Sequence, residues 1–176
     1  MICVDGDART NRLADFFTGE YMSIEKVREY FSRFGIESRI REFDVSSATV
    51  SLAAKALGCE EARIAKTLSF MAGENPIVIV MAGDARVDNK KYKAEFAVKA
   101  KMLSPDEAAN LVGHAVGGVC PFAVNEGVKV FLDESLKRFE TVFPACGSAN
   151  SAIELTVEEL EKYSSGPVEW VDVAKI

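Results

Sequence analysis

The sequence predicts an α/β (α+β) domain, a single compact unit in which a mixed β-sheet carries surrounding short helices. Three observations lead there. Ile77-Val78-Ile79-Val80-Met81 is apolar at every position, as expected of a strand covered on both faces. About seven extended segments are interleaved with short helices in irregular order, which favours a mixed sheet. Ser104-Pro105-Asp106-Glu107 and Thr156-Val157-Glu158-Glu159 each carry a capping box, so two helices have written starts. The chain has 176 residues, within the roughly 100–200 expected of one domain.

Taken in order, residues 1–21 are polar and aperiodic and read as an N-terminal tail or extension, with the domain over 22–176. Ser23 is placed to cap a helix whose apolar positions are Ile24, Val27, Phe31 and Phe34, and Gly35 ends it. Ile36 to Phe43 is expected as a strand. Thr49 caps a short helix that Gly58 stops. In Ile64 to Phe70, strand alternation puts Ile64, Lys66, Leu68 and Phe70 on one face. Gly73-Glu74-Asn75-Pro76 then turns the chain into Ile77–Met81. Asp88 or Asn89 caps a lysine-rich helix, Lys101-Met102-Leu103 is extended, and the helix opened by Ser104 ends at Gly113. Strands are expected over 128–132, 141–145, 151–155 and 168–173, with a helical turn over 133–139 and a helix from Thr156 to Tyr163. Pro144 suggests an edge or an early strand end.

Composition bounds the function. Apolar residues make up 48% and charged residues 27%, the balance of an ordinary soluble globule. No apolar run approaches the ~18 residues of a membrane span, and no basic segment leads into an apolar stretch. A cytoplasmic protein without membrane attachment is expected. Cys3, Cys59, Cys120 and Cys146 form no C-x-x-C pair and, with the single His114, no zinc signature, so neither metal nor cofactor is expected. A net charge of −6 argues against wholesale nucleic-acid binding. Locally, however, Lys90, Lys91, Lys93, Lys99 and Lys101 face only Glu95, either as a solvated face or as a phosphate-contacting patch.

Three stretches are candidates for a site. Gly117-Gly118-Val119-Cys120-Pro121-Phe122 is a tight turn or a main-chain cradle for an anion or oxyanion. Gly147-Ser148-Ala149-Asn150 is a second small-residue turn. Lys66, among apolar neighbours, either snorkels from a sheet edge or points its ammonium into a pocket. Cys120 and His114 are close enough in sequence for a thiol nucleophile and its base, but a buried inert cysteine and a hydrogen-bonded structural histidine are the commoner fates. No P-loop or dinucleotide fingerprint is present.

Three segments in order then resemble a known family. Ile64-Ala65-Lys66-Thr67-Leu68, Gly113-His114 with Gly117 to Phe122, and Gly147-Ser148 with Ile153-Glu154-Leu155-Thr156 are similar to the YbaK/EbsC family of freestanding aminoacyl-tRNA deacylases, relatives of the editing insertion of bacterial prolyl-tRNA synthetase. The likeness runs from about Ser23 to Val173. It implies a strongly curved mixed sheet and hydrolysis of the ester joining a wrong amino acid to the tRNA 3′ adenosine, of the Cys-tRNA(Pro) or Ala-tRNA(Pro) type. By the same resemblance Lys66, Gly117 and Gly118 are the catalytic positions, and Thr67, His114, Cys120, Pro121, Phe122, Gly147, Ser148 and Asn150 line the substrate. The lysine run becomes a candidate for tRNA contact, and a synthetase such as prolyl-tRNA synthetase is a candidate partner. Ala123 stands where the family often has glycine, and Cys120 where it often has serine. Two other readings stay open: a Cys120/His114 thiol hydrolase, and a module that binds a nucleotide or aminoacyl group without turnover.

Overall fold

A computed structural model describes residues 23–176, so the expected tail over 1–21 lies outside the described residues. Helix α1 spans residues 23–32. Strand β1 (Arg41–Glu42) follows a 3-10 turn at Glu37–Arg39. Helix α2 (Val50–Leu57) leads through a second 3-10 turn into the hairpin β2 (Ile64–Ala72) and β3 (Asn75–Ala82). Then come β4 (Arg86–Val87), α3 (Asn89–Phe96) and α4, which is α-helical at Pro105–Glu107 and π-helical at Ala108–Val112. The chain ends with β5 (Lys129–Asp133), β6 (Thr141–Pro144), β7 (Ser151–Ala152), β8 (Leu155–Thr156), α5 (Val157–Tyr163), β9 (Val168–Val171) and β10 (Ala174–Lys175).

The main sheet is mixed, as the irregular strand order implies, and runs β8-β6-β2-β3-β5-β9. β2 pairs antiparallel with β3 and parallel with β6, while β3–β5 and β5–β9 are parallel. Residues Ile77 to Ala82 are buried throughout because both faces are covered. On one face α1 and α5 pack Val27, Phe31, Leu160 and Tyr163 against Val80 and Leu132. On the other α3 packs Tyr92 and Phe96 against Phe70, Ile79, Met81 and Phe131. Among the described residues no helix is long and apolar enough to cross a membrane.

The caps behave as local chemistry dictates. Thr49, Asp88, Ser104 and Thr156 all accept main-chain N–H bonds at their helix starts, and Gly58 takes the left-handed conformation at the end of α2. Ser23 does not act as a simple cap; its hydroxyl engages His114.

Three expected strands differ. The strand over 36–43 shrinks to β1, because Ile36, Ile40 and Phe43 are spaced four and three apart, and a 3-10 turn buries Ile36. The strand over 151–155 divides where the chain changes partner: β7 pairs with β1, whereas β8 pairs with β6. The strand over 168–173 divides as well. Buried Asp133 accepts from the N–H groups of Val173 (2.9 Å) and Ala174 (3.1 Å) and steers β10 onto β4. Pro144 marks the end of β6, an interior strand of the sheet.

Ala123 has φ 50°, the left-handed conformation that costs an L-residue about 1–2 kcal/mol. Ala123→Gly removes that strain and offsets its own chain-entropy cost. It is expected to stabilise the fold by about 0.5–1 kcal/mol, read as a higher urea midpoint at unchanged slope.

Candidate functional site

The site forms where β2 and β6 part company. Their pairing consists of Ile64↔Phe143 and Ala65↔Pro144. Beyond it the chain bends through Gly147, whose φ is 88°. A half-enclosed cavity of about 330 Å³ opens along β2, within the range of small-ligand sites. Its walls include Ala48 and Val50 before and within α2, Lys66 and Thr67 on β2, and Val116 and Gly117 on the glycine turn.

The two glycine turns pack face to face. A Cβ on Gly118 would lie 2.5 Å from the Gly147 carbonyl carbon and 2.6 Å from the Ser148 nitrogen, so no side chain fits there. Gly117, at φ 97°, lies against Ala48 and Ala149, whose methyl carbons would be 3.2 and 3.3 Å from an added Cβ. Ser47 N donates to Ala149 O (2.6 Å), and the Asn150 amide donates to Phe43 O (2.9 Å), which straps the 43–49 loop to the second turn. Ser148 and Ser151 share a buried hydroxyl contact of 2.7 Å.

Gly118 N donates to Ala115 O at 3.0 Å. Its N–H is therefore committed to the turn, and among the described residues only that of Gly117 in this glycine pair has no acceptor.

Lys66 neither snorkels freely nor reaches across the cavity. It pairs with Met81 on the face of Leu68 and Phe70. Its ammonium donates to Gly83 O at 2.9 Å and to Ala85 O. Burial lowers its pKa, with the Asp84 carboxylate acting in the opposite sense. Asp84 is itself held by Arg138, which keeps its carboxyl below the usual range. Cys120 and Phe122 belong to the core on the other face of the sheet, with Ala65 and Val80. The lysine and the glycine turn thus meet around the open edge of β2, not through a shared face.

Of the other expected substrate residues, Thr67 lines the cavity, while His114, Cys120, Pro121, Phe122, Gly147, Ser148 and Asn150 do not. His114 Nε2 lies 2.7 Å from Phe122 O, an acceptor only, so Nε2 carries the proton. Nδ1 then accepts from Ser23 Oγ at 2.6 Å. Burial pushes this imidazole down to about 4 and the Cys120 thiol up to about 12. The thiol is wholly buried and donates toward Phe122 O. Burial disfavours both a thiolate and a protonated imidazole, and Cys120 does not line the cavity, which argues against the thiol-hydrolase reading.

The lysines divide in two. Lys90, Lys91 and Lys93 lie exposed on α3, where Lys91 is paired with Asp172 (2.7 Å) and donates to Ala174 O (2.9 Å). Lys99 and Lys101 lie just before Met102, which lines the cavity and is 58% exposed. Met102, Val116 and the Ser47–Ala48 loop were not evident as site residues; the only signal is exposed apolar surface, which many chains carry for no reason.

A family model described as the aminoacyl-tRNA editing domain matches residues 45–163, a span that includes α2, Lys66 and both glycine turns. The chain belongs to this family. The editing domain is 53% identical over 155 residues to the uncharacterised protein YwhH of Bacillus subtilis (strain 168), covering 88% of this chain and 98% of that one. It is 30% identical over 90 residues to a proline–tRNA ligase of Streptococcus sanguinis (strain SK36), covering 51% of this chain and 15% of the ligase. Among solved structures, a candidate trans-editing enzyme for prolyl tRNA synthetase aligns at TM-score 0.77 and 26% identity over 88% of this chain and 98% of that one. The hypothetical protein APE2540 aligns at 0.71 and 26% over 85% and 99%. The YbaK-like fold with its mixed curled sheet is thereby shown.

His114 makes stability depend on pH. The unfolded imidazole takes a proton near 6.5 and the buried one near 4, so stability is full above 6.5 and falls as pH drops through that window. The loss attributable to this residue is about 3 kcal/mol. Chemical denaturation at pH 7 and pH 4 should show that share of the pH effect missing in His114→Gln.

Proposed function

We propose that this editing domain acts in trans as a deacylase, hydrolysing mischarged aminoacyl-tRNA of the Cys-tRNA(Pro) or Ala-tRNA(Pro) type. The observation that carries the reading is the half-enclosed cavity that Lys66 and Gly117 both line, with the Cys120 thiol buried away from it. Such a site suits an already activated ester. Water adds to the acyl carbon, the bond to the ribose oxygen breaks, that oxygen takes a proton, and the amino acid leaves as its carboxylate. Positioning and charge stabilisation are enough for this chemistry, and no enzyme nucleophile is required.

In this reading the Gly117 N–H faces the developing oxyanion. Gly118 serves by letting the two turns close on each other. Lys66 holds the nucleotide end of the substrate, where a desolvated ammonium attracts phosphate more strongly than a hydrated one. The substrate's amine or ribose hydroxyl assists the water. A confined cavity helps because a synthetic site rejects a residue one methylene smaller by only about 1–3 kcal/mol. Lys99 and Lys101, beside the mouth, are the lysines best placed for the acceptor stem of tRNA, and prolyl-tRNA synthetase is the candidate partner in handing tRNA over.

The deciding experiment is a deacylation screen of the wild-type protein across a panel of mischarged tRNAs. Lys66→Ala is expected to slow hydrolysis about 100-fold or more. Because two carbonyls lose their charged donor, it should also destabilise the fold by about 1–3 kcal/mol, so rates are compared well below the variant's melting temperature. A wild type that binds but never turns over any member of the panel leaves the binding-module reading. The Lys99→Ala/Lys101→Ala pair should weaken tRNA binding and flatten its log–log salt dependence by about 1.5, while hydrolysis of a short aminoacyl-adenosine ester stays unchanged.

A further inference from the structure

One stretch of β2 has no strand beside it. Ser69 O accepts from Leu103 N (3.0 Å) and Met71 N donates to Lys101 O (2.9 Å), so the odd-numbered residues of β2 turn their main chain outward, away from β3. Nearer the start of β2 on that same edge, pairing with β6 stops at Ala65↔Pro144. Thr67 lies between these two pairings. Had β6 continued in register, Cys146 would face it, but Ala145 bridges to Ala152 instead and Cys146 turns into the core. Thr67 therefore presents an N–H and a C=O to the cavity it lines. Its hydroxyl is buried and, among the described residues, has no hydrogen-bond partner. Two main-chain groups of one residue are thus left open along the cavity and its hydroxyl is left unpaired within the wall, and such groups are normally satisfied.

We propose that this gap is the recognition edge for the aminoacyl group, which enters as a one-residue strand. This inference rests on the deacylase reading above. In an antiparallel hydrogen-bonded pair, a residue exchanges both its N–H and its C=O with a single partner residue. An esterified α-amino acid offers the matching atoms in N–Cα–C=O order. Thr67 C=O accepts from the α-ammonium, and Thr67 N–H donates to the acyl oxygen, adding a second main-chain donor to that of Gly117. The ester plane then lies in the plane of the sheet, and water must approach the acyl carbon along the normal to it. The Thr67 side chain projects on that normal, and its unpaired hydroxyl, enclosed in the wall without a ligand, gains the water as a partner by turning about χ1 when the ligand seats. Lys66, the preceding residue, projects to the opposite side.

The structure also explains why such a gap persists without a ligand. Pairing at Ala65 on one side of Thr67 and with the 101–103 segment on the other fixes β2 at both ends of the gap, so the edge is preformed.

The test has two arms. In the first, the Thr67 amide resonance is followed by NMR during titration with 3′-alanylamido-3′-deoxyadenosine, whose amide bond replaces the ester, and with its propionyl counterpart, which lacks the amine. The Thr67 amide is expected to shift with the alanyl probe, and the propionyl probe to bind about 10-fold more weakly or worse. Shifts at Gly117 without one at Thr67, equal affinity for the two probes, or no binding of either overturns the proposal. In the second arm, Thr67→Val keeps the shape and β propensity of the residue but removes the hydroxyl. It should lower kcat on mischarged tRNA about 10–100-fold with KM little changed, Thr67→Ser should restore most of it, and the valine variant should melt at or above the wild-type temperature. Full activity in Thr67→Val overturns the role of the hydroxyl. A wild type inert on every tRNA that still shows the Thr67 shift with the alanyl probe would sink the deacylase reading and keep the recognition edge.

Discussion

The contact between Gly118 and the Gly147–Ser148 peptide is the constraint on which the rest of the site depends. Two main-chain segments about thirty residues apart in sequence touch with no side chain between them, and an added methyl would sit 2.5 Å from a carbonyl carbon. Real Cβ contacts do not come that close, so any substitution at 118 must push the turns apart. The consequences are immediate. Gly147 in turn lies against Ser23 O of α1, where an added Cβ would be 2.6 Å away. The second turn holds the 43–49 loop through Ala149 and Asn150. The 43–49 loop and the Gly117 turn contribute walls to the cavity, so its width is set by a backbone-to-backbone distance, which is less adaptable than one between flexible side chains.

The electrostatics of the site follow from what is buried where. His114 and Cys120 look like chemistry in the sequence, yet both are held neutral by burial, and their hydrogen bonds run to Ser23 and to Phe122 O. They tie α1 to the glycine turn. Lys66 is the charge left at the cavity, and it rests on two carbonyls with the Asp84–Arg138 pair beyond. Charge and main-chain donors are therefore separated: the cation is anchored on one side of β2, and the open amide groups lie along its edge. That separation suits a substrate with an anionic nucleotide end and a small uncharged reacting centre.

Much of this fold was legible because it is decided within a few residues. Thr49, Asp88, Ser104 and Thr156 start helices through bonds to N–H groups two or three positions on, and the β2–β3 turn needs only Gly73 and its neighbours. The continuous apolar run of β3 implied two covered faces, and two covered faces are found. The candidate site residues came another way, by resemblance, and three of them, Lys66, Thr67 and Gly117, line one cavity. What those residues alone did not reveal is which of their atoms are committed elsewhere. Gly118 N–H closes a four-residue turn on Ala115 O, and the His114 ring nitrogens are used up by Phe122 and by Ser23, a partner so distant in sequence that no local rule would select it.

By itself the sequence determined the helix starts and stops, the central hairpin, the mixed character of the sheet and the glycines that the turns demand, since each follows from short-range sterics and hydrogen bonding. Tertiary structure alone decided that residues 36–43, 151–155 and 168–173 break into shorter strands, because their lengths are set by partners far away in sequence. Buried Asp133 captures two N–H groups from the C-terminal strand region. The bend after Pro144 leaves Thr67 facing open space, and that is a relation between two strands whose separation no single segment encodes.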